Sequence, residues 1–325
     1  MTNQKHNHQW IYTYDYAPDQ EWEPWRTEPM PSGWIDGECI TVNERVNKID
    51  KNGILKFALL ADTHYVINGT WEDTAYSLRK THEFVNFDGV IHLGDLTDGM
   101  LTAVKTKEFS GRVTGDMNSL GVPVYIVPGN HDYNYFKGNT EIVYPKKPRF
   151  YEDYNEQKLR LIFMDSFDPK ESSRYGFCDC CIHWLDSVLS LMPQDYNAIV
   201  FSHLTPLVRL QAWVKDIRGR VSLMSILDRY ADNILAFING HNHCDLLFND
   251  LSNGKFPIVS INCSKCECFL EHKPHGAVVP CRALGDRTQE CWDVLLIDTK
   301  IRKLDFIRFG AGNDRIVRNG KAAWV

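Results

Sequence analysis

Apolar residues fall along this chain in short runs separated by longer polar stretches. Ile54–Ala61 (ILKFALLA) has strand length and ends at Asp62. Glu72–Asn86 reads as a helix, Gly89–Leu93 (GVIHL) as a strand, 101–119 as a helix, and Val122–Val127 (VPVYIV) as a strand running into Pro128–Gly129. Strand alternating with helix predicts parallel β-α-β units whose sheet is covered on both faces. Leu159–Met164, Ala198–Phe201 and Ile234–Ile238 continue the strands, with helices over Ile182–Met192 and Val221–Tyr230. Beyond residue 246 the pattern changes. Leu246–Phe248, Pro257–Asn262, Trp292–Ile297 and Arg302–Phe309 are strand-like without intervening helices, which predicts antiparallel hairpins. The Gly-rich FGAGNDR, Phe309 to Arg315, is read as a hairpin turn rather than a phosphate loop. His92, Phe84, Phe87, Trp184 and Leu185 are read as core.

Residues 1–50 stand apart. They show no helical period and hold Trp10, Trp22, Trp25 and Trp34 with prolines between. Disordered tails are poor in aromatic residues, so an extended strap packed on the domain is expected. The expected organisation is a strap over 1–50 and one domain over 51–325, with a motif core at 54–245 and a β-rich extension at 246–325.

Composition narrows the classes. With 43% hydrophobic and 24% charged residues the chain is globular. Its formal charge of −6 disfavours a protein held to nucleic acid by phosphate neutralisation. No apolar run approaches membrane-spanning length, and the opening MTNQKHNHQW has no signal-peptide core, so a cytoplasmic location is expected. The ten cysteines are too few for a disulfide scaffold. Two clusters, Cys178/Cys180/Cys181 and Cys263/Cys266/Cys268, leave open a zinc site, disulfides or free thiols; Cys244 reads as a buried thiol.

The chemistry sits at strand ends, where α/β proteins place ligands. Five successive strand ends carry metal-binding side chains: Asp62-Thr63-His64, Gly94-Asp95-Leu96-Thr97-Asp98, Gly129-Asn130-His131-Asp132, Ser202-His203 and Gly240-His241-Asn242-His243. A lone histidine at a strand end is usually structural, but five such blocks in order are not coincidence. Imidazole and carboxylate suit Mn, Fe, Zn or Ni, and the absence of cysteine from the set argues against a soft-metal centre.

These blocks resemble the calcineurin-like metallophosphoesterase superfamily in its bacterial-type form, over roughly residues 54–245. The resemblance implies a two-sheet αββα sandwich with two divalent metal ions at one edge. It implies that Asp62, His64, Asp95 and His243 hold one ion, that Asp95, Asn130, His203 and His241 hold the other, and that Asp95 bridges. It further implies in-line attack on phosphorus by a hydroxide the ions share, with His131, paired to Asp98, protonating the leaving group. Position 64 is His, and Asp98 stands where purple acid phosphatases need Tyr, which disfavours that branch. Gly99 and Asp132 stand where protein phosphatases carry Arg and Glu, so a phosphoprotein substrate loses support. A small phosphodiester or nucleotide-like substrate is expected first and a phosphomonoester second. A DNA nuclease and an inactive metal-binding scaffold are the rivals, and the oligomeric state is open. Arg209, Lys215, Arg218 and Arg220 follow His203 and are candidates for substrate contact, against the plainer reading of a solvated helical face.

Overall fold

The computed structural model describes residues 28–325 apart from 32, 66–69, 100, 101, 134–147, 168–173, 251–253 and 269. Two sheets pack face to face. The first has the order β13-β12-β11-β10-β1-β2-β3, and the second β4-β5-β6-β7-β9-β8. In the first sheet β1 (Leu55–Leu60), β2 (Gly89–His92) and the edge strand β3 (Val124–Ile126) are parallel. β10 (Cys291–Asp298) pairs antiparallel with β1 and begins the run β11 (Lys303–Gly310), β12 (Arg315–Arg318) and β13 (Lys321–Trp324). In the second sheet β5 (Leu159–Met164), β6 (Asn197–Ser202), β7 (Ile234–Asn239) and β9 (Ile258–Ser260) are parallel, with antiparallel edges β4 (Phe150–Tyr154) and β8 (Leu246–Phe248).

Side-chain alternation along β1 shows why its sequence is apolar without a break. Phe57 and Leu59 enter the layer between the sheets with Leu161, Phe163, Phe201 and Phe306. Ala58 and Leu60 face the opposite way, against helices α2 (Trp71–Val85) and α3 (Ala103–Asn118). The second sheet is covered outside by α4 (Asp179–Ser190) and α5 (Arg220–Arg229), through Leu185, Leu189, Leu223 and Leu227. The layers are therefore helix, sheet, sheet, helix, and strands covered on both faces read as continuous apolar runs.

The N-terminal segment departs from the expected strap. Gly33–Asn47 is a helix, α1, and Ile35, Cys39, Val42 and Val46 form its buried stripe at spacings of four, three and four. Trp34 packs against the same core, while Trp10, Trp22 and Trp25 lie outside the described residues. Phe84 also differs from expectation: it is half exposed on α2, whereas Phe87 and Leu185 are buried and Trp184 is partly so. The FGAGNDR segment is the β11–β12 turn.

The β-rich extension is locked to the motif core by a buried charge quartet. Arg308 reaches Asp245 at 2.6 Å and Asp293 at 3.0 Å, and Arg315 contacts the same two carboxylates. Asp245 lies two residues after His243, so this quartet fixes the loop that follows the last motif. Removing one member leaves uncompensated buried charge, a loss of about 3–5 kcal/mol.

Candidate metal centre

The five motif blocks follow β1, β2, β3, β6 and β7, so parallel strands from both sheets deliver them to one edge. Close backbone packing makes this convergence possible. A side chain on Gly94 (φ +96°) would strike the backbone of Gly129 and the ring of His203, and one on Gly129 would strike Asp95.

Among the described residues four groups of three could hold a metal ion; two of them, Asp62, His64 and His243, and Asp95, His203 and His241, match the expected sets, and the others are His64, Asp98 and His131, and His243, Cys263 and Glu267. In the first, His64 Nε2 and His243 Nε2 are 3.1 Å apart, and Asp62 Oδ1 lies 3.4 Å from His243 Nε2. In the second, His203 Nε2 is 3.2 Å from Asp95 Oδ2 and 3.2 Å from His241 Nδ1, and Asn130 Oδ1 is 3.1 and 3.0 Å from the two rings. Asp95 Oδ2 also lies 3.7 Å from His64 Nε2, between the two groups.

The outer contacts set the tautomers. His203 Nδ1 donates to Leu93 O at 2.7 Å, leaving Nε2 for the centre. His243 Nδ1 faces both oxygens of Glu267, at 3.0 and 3.1 Å. That carboxylate also lies 3.4 Å from Lys265 Nζ and from Lys273 Nζ. Asp132 accepts from Asp95 N and Gly129 N, each at 2.8 Å, and from Leu96 N at 3.0 Å, tying the second and third motif blocks together.

Several observations fit divalent cations here. Asp62 Oδ1 and His241 Nε2, both on candidate ligand residues, are buried with no hydrogen-bond partner, a state that buried polar atoms usually avoid. Burial drives His64 and His241 well below the usual histidine range, which keeps them neutral ligands. Burial would also lower His203, but Asp95 and Asp62 push it up to about 10. Two carboxylates thus hold a proton where a cation would replace it. Asp62, His64, Asp95, His241 and His243 all have positive φ, five of the eleven non-glycine residues described that do so. Backbone strain of this kind concentrates at functional sites.

His131 is placed differently from expectation. Its Nδ1 pairs with the backbone oxygen of Asp98 at 2.5 Å, not with the carboxylate. The Asp98 carboxylate is 3.5 Å from His64 Nδ1, both its oxygens lack hydrogen bonds, and burial raises it well above the usual range. His131 Nε2 faces Asp95 Oδ2 at 4.0 Å. The basic residues after β6 have other contacts: Arg209 stacks on Phe248 at 4.6 Å and Arg220 pairs with Asp216. Arg218 pairs through its backbone with Tyr175 and Phe177. The ring this segment brings to the centre is Trp213, 5.9 Å from His241 and 5.4 Å from His243.

A family model for calcineurin-like phosphoesterases matches residues 55–245. The chain belongs to that family. This phosphoesterase is 30% identical over 171 residues to a probable glycerophosphodiester phosphodiesterase of Arcobacter nitrofigilis, covering 48% of the chain and 56% of the relative. It thus spans little more than half the length of that relative. Its fold is similar to a dimetal phosphatase from Danio rerio (TM-score 0.58, 16% identity, 82% of this chain and 99% of the other). A purple acid phosphatase from yellow lupin seeds shares the fold as well (TM-score 0.53, 13% identity, 82% and 54%). Membership of this family implies divalent metals, which the converging histidines and carboxylates of the phosphoesterase suit.

Among its described residues no helix is long and apolar enough to cross a membrane. The cysteine clusters do not meet as a zinc site. Cys178 and Cys180 form a disulfide, and Cys181, Cys244, Cys263 and Cys266 are buried thiols. His92 is a core residue, bonded to Thr63 Oγ1 at 2.7 Å. Glu267, Lys265 and Lys273 carry no recognisable motif. Their only sequence signal is two charged residues set between the cysteines of 263–268, a pattern read above for its thiols.

Proposed function

We propose that this phosphoesterase hydrolyses small phosphodiesters with two divalent ions, and phosphomonoesters second. Asp62, His64 and His243 would hold one ion, Asn130, His203 and His241 the other, and Asp95 both. The observation that carries this reading is the position of Asp95 Oδ2 between His64 and His203. The probable phosphodiesterase relative supports the diester preference. Bound divalent ions supply an acidified water and positive charge for the phosphoryl oxygens. The chain's own residues do the rest. The buried imidazoles and two carboxylates fix the ligand geometry before substrate arrives, so no reorganisation is needed at reaction. Asp132 holds the Asp95 and Gly129 loops together. With its Nδ1 proton held on the Asp98 carbonyl, His131 faces the pocket through Nε2; only the doubly protonated ring can give a proton to the departing oxygen, and burial, which lowers its pKa, makes that ring the stronger acid. Arg209, Lys215, Arg218 and Arg220 remain our candidates for parts of the substrate beyond the phosphate. The test is metal analysis followed by hydrolysis of bis-nitrophenyl phosphate and nitrophenyl phosphate with Mn, Fe, Zn and Ni. A monoester advantage of about a hundredfold or more would reverse the order of substrates. Absence of turnover on both with metals bound would favour the inactive scaffold.

A further inference from the structure

Trp213 is 40% exposed, yet it lies within 6 Å of two candidate ligand rings, edge-on to both at 90° and 76°. Its φ is +59°, in the left-handed region that a bulky residue rarely adopts. Of the non-glycine residues described with positive φ, it is the one tryptophan, and it is not itself a candidate ligand. Strain of this sort persists only where surrounding structure enforces it, and here the enforcing contacts are visible. Asn242, between His241 and His243, accepts from Ala212 N at 2.9 Å and donates to Leu210 O at 2.8 Å. Val214 N closes a turn onto Ala212 O at 2.7 Å. Lys273 bonds Asn242 O at 2.9 Å and sets its ammonium 4.4 Å from the Trp213 ring centre. The residue between two ligands therefore clamps the loop that carries the indole, and Lys273 braces the ring. A second aromatic ring, Tyr175, lies 5.9 Å from His241.

A rigid, partly exposed indole beside a phosphoester centre does nothing for phosphate itself. It offers a flat apolar face to whatever the phosphorus carries. We infer that Trp213 is a specificity residue that packs against the leaving group and selects esters whose leaving group bears an aromatic ring, aryl or nucleobase. This rests on the reading that phosphoesters bind at the two ligand sets, and it narrows the substrate class of that site.

The test uses phosphonates, whose carbon–phosphorus bond this hydrolysis does not cleave. Binding of phenylphosphonate and ethylphosphonate to the metal-loaded full chain is measured by calorimetry for wild type, Trp213→Ala and Trp213→Phe, with metal content as a control. Aromatic stacking implies that wild type binds phenylphosphonate about 5- to 100-fold more tightly than ethylphosphonate. Trp213→Ala should collapse that gap to about twofold or less while ethylphosphonate affinity and metal content hold. Trp213→Phe should keep most of the gap. A gap that survives in Trp213→Ala, or equal weakening of both ligands in both variants, overturns the inference and leaves Trp213 as a structural wall. Wild type that binds both ligands equally overturns it while the site reading stands. Metal-loaded wild type that binds neither ligand removes the site reading and this inference with it.

Discussion

Glu267 is the residue whose replacement tests most directly how the ligand set is held. Both of its oxygens face His243 Nδ1, and the ammonium groups of Lys265 and Lys273 flank it at 3.4 Å. Burial alone would raise its acid, but His243, Lys265 and Lys273 hold it well below the ordinary carboxylate range, so the negative charge is present at every working pH. Glu267→Gln keeps an acceptor for the imidazole proton and removes the charge. Glu267→Ala removes both and leaves two buried lysines uncompensated. Loss of such an outer partner costs about 10- to 100-fold in metal affinity, or ~1.4–2.7 kcal/mol. We expect Gln near the lower figure and Ala at or beyond the upper. The assay is calorimetric titration of the metal-free chain with Mn²⁺, resolving two sites. Only the site built on Asp62, His64 and His243 should weaken, and excess metal should restore turnover in Glu267→Gln. Equal weakening of both sites, or wild-type affinity in Glu267→Ala, would refute the reasoning.

Asp95→Asn should weaken both metal sites together, because Asp95 Oδ2 lies between them; metal stoichiometry at rising concentration reads this out. His131→Ala should retain both metals and lower kcat by about 10²–10⁴-fold for alkoxide leaving groups, with a smaller loss for nitrophenolate, as measured by steady-state kinetics on matched esters. Burial and neighbouring Asp73 raise Glu290 from 4.5 to about 7. The folded state therefore binds more protons between those values, so stability is full below about pH 4.5 and declines as pH rises through 7. Glu290→Gln should flatten that part of the Tm-against-pH curve.

The sandwich was legible because its parallel strands are buried on both faces and end in Asp, Asn or His. Where burial is one-sided the signal fades. β4 exposes Tyr151 and carries Glu152 and Asp153, so nothing in its pattern marks a strand. β13 is a short edge strand of the same kind, and β12 beside it has only four residues. The stripe of α1 is present in the sequence but follows a stretch of Trp and Pro that hides its start. At the centre, the motif residues could be read from types and order. His131 could not be placed fully, because its partner is a backbone oxygen and a sequence does not distinguish that from the carboxylate beside it. Trp213, Glu267 and Lys273 reach the site only through the tertiary fold, from segments with no fixed spacing to the motifs.

The pairing of β1 with β10 has a consequence for how the chain is made. Leu55 lies opposite Ile297, so β1 gains its second neighbour only after about 240 further residues have been made. At about 5–20 residues per second that delay is on the order of tens of seconds. During it β1 has one open edge, and until residues 264 and 265 are made Ala61 O and Asp62 O also lack the backbone N–H groups that bond them. Long-range strand pairing of this kind is slow and leaves apolar edges open to aggregation. A nascent chain halted before residue 291 should therefore hold metal poorly and depend on chaperones, although every motif residue has already been synthesised.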